Sequence, residues 1–303
     1  MTLRKQRLQA GWYPFSASGV ADFLGGISLD GEHYPSAPAA VAPHAGWFYS
    51  GAIAARAVLS LDRDAETVAI IGGHLPAGMP PLIAQEDALE TPLGELPVDR
   101  EFALALGRAL DCRGDRYTDN TVEVLLPMVH YFFPRAQALW LRLPAEAASL
   151  EAGREIARIA KKIGRRVAVL GSTDLTHYGE NYEFSPRGKG EQALAWVRGV
   201  NDRRFIEAVL SGDPRAVLER AEEERSACSA GAVLGAIGFA GESGAPKGEL
   251  LAYGTSADAR GTLWLKPALQ VARGTSLQVV DSEASRIEVP DSFVGYGAFY
   301  WRK

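Results

Sequence analysis

Four short apolar runs punctuate the first 170 residues: 40–43 (AVAP), 67–71 (TVAII), 138–143 (ALWLRL) and 166–170 (RVAVL). Each ends at turn residues or a loop, the pattern of a buried strand. Helical patterns lie between them. Residues 50–61 (SGAIAARAVLSL) read as a helix with Ser50 as N-cap. Residues 99–110 (DREFALALGRAL) start with Asp99 as cap and carry Glu101 in the first turn. Residues 149–164 place acids early, bases late and Gly164 at the stop, as the helix dipole favours. Residues 189–240 read as mostly helical, and 248–256 and 293–301 as two late strands. Alternating strand and helix predicts one α/β domain over residues 1–303. Its central sheet is expected to be mixed, mostly parallel, with helices on both faces. Residues 267–292 form the ragged stretch, a candidate inserted hairpin. The run RAEEER (220–225) reads as a solvated helix face.

Composition narrows the class without changing this picture. With 47% hydrophobic and 23% charged residues, the chain is ordinary for a globular protein of 303 residues. A net charge of −5 argues against a dedicated nucleic-acid binder. No apolar run approaches the roughly 18 residues of a membrane span. The start, MTLRKQRLQAGWYPFSASG, has basic residues but no apolar core to make it a secretory signal. Cys112 and Cys228 are the two cysteines, too few for a disulfide framework, so a reducing cytoplasm is expected.

Candidate chemistry lies in the histidines. Three of the five stand at or just beyond a predicted strand end: His44 (VAPHAGW), His74 (VAIIGGH) and His177 (VAVLGSTDLTH). Ligands of open α/β sheets bind beyond the carboxyl ends of strands. If these strands are parallel neighbours, the three imidazoles converge, and histidine is both the commonest metal ligand and the usual acid or base near neutral pH. Each histidine alone reads as readily as a satisfied structural residue; three at equivalent places favour a shared site. Asp174 precedes His177 by three residues and could orient its ring, or cap a turn. Cys228 opens the apolar helical stretch CSAGAVLGAIGFA, where the dipole favours a thiolate and hence a soft ligand; the competing reading is a small buried residue. The spacing of Gly231, Gly235 and Gly238 reads as a close-packing face. Cys112 has no partner pattern, His33 reads as a surface loop residue and His130 as helical packing. Serine-nucleophile, Walker, dinucleotide and zinc-protease motifs are absent, so no nucleotide cofactor is expected.

Taken together, several blocks resemble the Memo family, protein B of the AmmeMemoRadiSam system, whose relatives are the class III LigB-type extradiol dioxygenases. The blocks are LQAGWYP (8–14), APHAGWFYSGAIAARA (42–57), ETPLGELPVDRE (90–101), GSTDLTHYG (171–179), ACSAGAVLGAI (227–237), AYGTSADARG (252–261) and VGYGAFYW (294–301). TVEVLLP (121–127) looks like a worn form of the family's E-H-S-x-E-x-x-L-P. The resemblance implies a metal-type pocket. His44, His74 and Cys228 would be its ligands, with His177, Asp174 and Glu123 as catalytic groups. It implies Fe(II) or copper, with zinc as competitor, and a non-haem redox enzyme. A binding or scaffold protein that keeps the pocket without catalysis is the alternative. A small-molecule or peptide ligand and other AmmeMemoRadiSam proteins are the implied partners, with neither nucleic acid nor membrane. This chain departs from the pattern in three places. GGHLP replaces G-P-x-H-H, Asn120 stands where the block has histidine, and Leu125 stands where many members have a polar residue.

Overall fold

The computed structural model describes residues 1–27, 34–258 and 289–303. In chain order its elements begin with β1 (Leu3–Arg4), α1 (Ala17–Gly26), β2 (Ala39–Ala42), α2 (Trp47–Leu59) and β3 (Thr67–Leu75). Next come β4 (Leu82–Ile83), β5 (Ala88–Thr91), β6 (Gly94–Pro97), α3 (Arg100–Ala109) and β7 (Arg113–Gly114). α4 (Asn120–Glu123), α5 (Leu126–Phe132), β8 (Gln137–Pro144), α6 (Ala148–Ile163), β9 (Val167–Ser172) and β10 (His177–Gly179) follow. The last third holds α7 (Glu191–Trp196), a π-helical stretch (Val197–Asn201), α8 (Asp202–Ser211), α9 (Pro214–Glu223), α10 (Ala230–Glu242), β11 (Lys247–Thr255) and β12 (Ser292–Arg302). Among the described residues no helix is long and apolar enough to cross a membrane. His33 and most of the candidate hairpin lie outside the described residues; of that hairpin, Ser292 opens β12.

The larger sheet runs β10-β12-β2-β9-β3-β8-β4-β7, with β11 on β12. Its centre, β2-β9-β3-β8, is parallel, as expected. Its flanks are not: β12 runs antiparallel to β2, β10 and β11, and β4 antiparallel to β8. The sheet is therefore mixed. β1, β5 and β6 form a separate small sheet. α10 lies against β2, β9, β3 and β8, while α2 lies against β2, β11 and β12. The four central strands are almost wholly buried, which explains why they read as continuous apolar runs.

The helix signals fared unequally. Asp99 caps α3 by accepting from the Phe102 amide at 3.1 Å, and Gly164 ends α6 in the left-handed conformation. Ser50 is not a cap. α2 begins at Trp47, Ser50 lies inside it, and its hydroxyl donates to Ala45 O at 3.1 Å. The start of α2 is satisfied from elsewhere: the Trp47 amide donates to Trp12 O at 2.8 Å, and its indole to Val124 O at 2.9 Å. Cys228 likewise does not open α10, which starts at Ala230 after Ser229. His130 lies in α5 with its ring 2.7 Å from Thr91 Oγ1. The glycine spacing is a packing face. A Cβ on Gly238 would lie 2.0 Å from Leu150 O, and one on Gly153 of α6 would lie 2.0 Å from Gly235 O.

Such backbone contact leaves no room for a methyl group. Gly238→Ala is expected to destabilise the protein by about 1–3 kcal/mol. Gly241→Ala, with nothing within 4 Å of the new Cβ, should instead be neutral or gain about 0.5–1 kcal/mol from helix propensity. Urea unfolding midpoints of the two variants check this contrast.

Candidate metal centre

The parallel register brings the site residues together. β9 lies between β2 and β3, pairing Ala42 with Ser172 and Ile71 with Gly171, so β2 and β9 end beside β3 just before it reaches His74. His44 follows β2 by two residues, and His74 is the penultimate residue of β3. Cys228 reaches the same end because the segment before α10 crosses it. The two glycines before His74 make room for their neighbours, Gly73 for that segment and Gly72 for α4. A Cβ on Gly73 would lie 2.4 Å from Ser229 Cβ, and one on Gly72 would lie 2.2 Å from Thr121 Oγ1. The Cys228 amide is tied to Asp174 O at 3.3 Å.

His44, His74 and Cys228 each offer one ligand atom, and these atoms lie within 4.8 Å of one another. Cys228 Sγ is 3.2 Å from His44 Nε2, and the two rings stand nearly perpendicular with centroids 5.1 Å apart. Atoms bound to one ion at about 2.0–2.3 Å are separated by roughly 3.5–4 Å, so the set fits a single ion after small rotations. Each ring is held through its other nitrogen. His44 Nδ1 lies 2.8 Å from Ser172 Oγ, and His74 Nδ1 lies 3.2 Å from Asp119 Oδ2. That leaves Nε2 of both rings for a metal.

The electrostatics suit a cation. Burial opposes ionisation of Cys228, but the adjacent imidazoles of His44 and His74 override it and hold the thiol well below its usual range. Burial also disfavours protonated His74, yet Asp119 and Cys228 override that and push its pKa up to about 10. His44 is raised too, since Cys228 and Asp174 outweigh its burial. Asp119, despite burial, is pulled down to about 2 by His74, Thr121 and Arg142. The pocket thus sets a sulfur held toward thiolate against two imidazoles held toward their protonated forms.

The remaining predicted residues lie differently. Asp174 does not hydrogen-bond the His177 ring. Its Oδ1 accepts from the His44 amide at 2.7 Å, and His177 Nδ1 lies 3.1 Å from Leu175 O. Pairing of His177 with Val294 on β12 carries the histidine away along β10, while Asp174, two residues past the end of β9, stays with His44. His177 is outside the three-donor cluster. Glu123 is buried, and its Oε1 accepts from the Arg7 and Leu8 amides, both at 2.8 Å, and from Tyr13 Oη at 2.9 Å. It thus straps the N-terminal segment onto α4. Asn120 donates to His44 O at 3.2 Å, and Leu125 is core.

Sequence reasoning missed Asp119, Ser172 and Arg142. Asp119 had no spacing relation to His74, 45 residues away. Arg142 did leave a signal, as a lone charge inside the buried run ALWLRL.

The His74–Asp119 pair gives metal-free protein a defined pH response. Asp119 drops from 3.8 to about 2 on folding, so its stabilisation is complete above pH 4 and lost as pH falls through 2. His74 rises from 6.5 to about 10, so its stabilisation is complete below pH 6.5 and lost as pH rises through 10. Asp119→Asn should flatten the acid limb of Tm against pH, and His74→Gln the alkaline limb, in scanning calorimetry of chelator-treated protein.

The Memo-like protein family model matches residues 4–263. A MEMO1 family protein of Methanococcoides burtonii is 30% identical over 270 residues, covering 86% of this chain and 95% of that protein. One from Methanopyrus kandleri is 32% identical over 235 residues, covering 74% of this chain and 78% of that protein. A solved structure of an uncharacterized Escherichia coli K12 protein aligns at TM-score 0.47 and 11% identity, over 86% of this chain and 98% of that one. With a family match spanning most of its length and relatives at this identity, the chain belongs to the Memo family.

Proposed function

We propose that this chain is a metal-dependent redox protein in which His44, His74 and Cys228 hold an Fe(II) or copper ion, with zinc the redox-inert competitor. The supporting observation is the convergence of two imidazoles and one thiol from three separate segments. A thiolate with imidazoles suits soft and borderline ions, copper(I) and zinc foremost. A bound iron or copper ion would supply electron transfer and Lewis acidity. The protein's own groups do the rest. His74, with 35% of its side chain exposed, is the ligand on the solvent side, whereas His44 is buried. Approach to the centre is therefore past His74. His177 donates Nδ1–H to Leu175 O, which leaves its Nε2 as the free ring nitrogen for proton transfer.

One observation favours a second reading, a pocket that binds metal without turnover. By the resemblance, Asn120 stands where the family has histidine and Leu125 where many members have a polar residue, and both have structural work: the amide holds His44 O and the leucine fills the core. Oxygen consumption by iron- or copper-loaded protein separates the two.

Protein purified anaerobically is expected to hold a single metal equivalent by elemental analysis, and a His44→Ala/Cys228→Ala double variant to hold none. Metal binding to the apo protein should release protons into weak buffer, because the ligands must shed them. The cysteines supply an independent check by iodoacetamide labelling and peptide mass spectrometry. Cys228, held toward thiolate, should alkylate near neutral pH in apo protein and be shielded by metal. Cys112, pushed up to about 12 by burial, should react slowly with or without metal. Equal protection of both would remove Cys228 from the centre.

A further inference from the structure

Arg142 is a charged residue in the middle of β8, and it is 4% exposed. A buried guanidinium is tolerated only when its donors are matched. Its partners here surround His74. Nε donates to Gly73 O at 2.9 Å, and Nη2 reaches His74 O at 3.4 Å and Asp119 Oδ2 at 3.1 Å. Nη1 lies 3.7 Å from Asp115 Oδ1, and Asp115 in turn accepts from the Trp140 indole at 2.8 Å.

The register explains why these carbonyls are on offer. β3 and β8 pair Gly72 with Arg142 and then Leu75 with Pro144, so β3 carries one extra residue between the pairs. Such a bulge breaks the ladder locally and re-aims a side chain. His74 adopts φ 55° within it, a conformation unfavourable for a residue with a Cβ. Gly73 O and His74 O, released from regular pairing, are taken by the guanidinium. The same guanidinium holds Asp119, which holds the His74 ring.

We propose that Arg142 is the positioning residue of the His74 arm: its planar fork fixes the bulge and Asp119 together, and so sets the direction in which His74 presents its ring nitrogen to the metal. This rests on the metal-binding reading above. Lysine cannot substitute, because one ammonium cannot span two carbonyls and a carboxylate in a plane.

Co(II) is the probe, read by affinity and by its absorption spectrum. Wild type should show d–d bands and a thiolate-to-cobalt band from Cys228. Arg142→Met and Arg142→Lys should each bind Co(II) about 10–100-fold more weakly. Their d–d bands should move toward those of His74→Ala, while the thiolate band persists. Gly241→Ala, at the end of α10 remote from Cys228 and with nothing near the new Cβ, should keep the wild-type spectrum. A structural role alone would lower Tm without moving the bands of the folded protein. Wild-type affinity and bands in Arg142→Lys overturn the proposal; should Arg142→Met fail to fold, Arg142→Lys decides alone. Failure of wild type itself to bind Co(II) defeats the metal-binding reading instead.

Discussion

The arrangement depends on backbone approaching backbone where no Cβ intervenes. α10 seats its glycines directly on neighbouring carbonyls: a Cβ on Gly231 would lie 2.1 Å from Pro144 O at the end of β8. Gly73 makes room for Ser229 in the same way. These contacts draw the segment before α10 down onto the strand ends, and Cys228 travels with it. Were α10 held off by even one methyl layer, the sulfur would no longer meet His44 and His74. The candidate metal centre is thus a consequence of packing density as much as of ligand choice.

Around that contact the protein buries an unusual run of charge. Arg4, Asp115, Arg142 and Asp119 are each nearly inaccessible, and they alternate in sign toward His74. Arg4 also stacks on Trp140 with its guanidinium carbon 4.1 Å from the ring centroid. Such a network contributes little net stability relative to a well-packed apolar replacement, but removing one member strands the others. Under the proposed role of Arg142 its contribution is orientation, a fixed His74, more than stability.

The N-terminal segment is secured by the same economy of donors. Glu123 accepts three hydrogen bonds from residues 7–13, and Trp12 O receives the first amide of α2. The opening block, the APHAGW block and the worn TVEVLLP block therefore meet in space. Asn120 and Glu123 lie on one short helix and serve two neighbours, the former His44 and the latter the N-terminal strap. A carboxylate read as catalytic by resemblance is, in its observed contacts, a tether.

The sequence alone determined what local chemistry can specify. Buried parallel strands declare themselves as unbroken apolar runs, Asp99 and Gly164 mark helix ends by hydrogen-bonding and backbone preference, and histidines past strand ends mark the sheet edge where ligands gather. Tertiary structure decided what depends on pairing between distant segments. The antiparallel flanks follow from β12 folding back onto β2 and β4 onto β8, which no local pattern encodes. The start of α2 is fixed by Trp12 O, 35 residues from the amide it accepts, so Ser50 misled as a cap. Asp174 serves His44 and not its near neighbour His177 because β2 and β9 lie side by side, and hydrogen bonds follow proximity in space and not in sequence. Asp119 and Arg142 became part of the site for the same reason: a charge inside a buried strand must find partners, and only the folded register determines which ones are within reach.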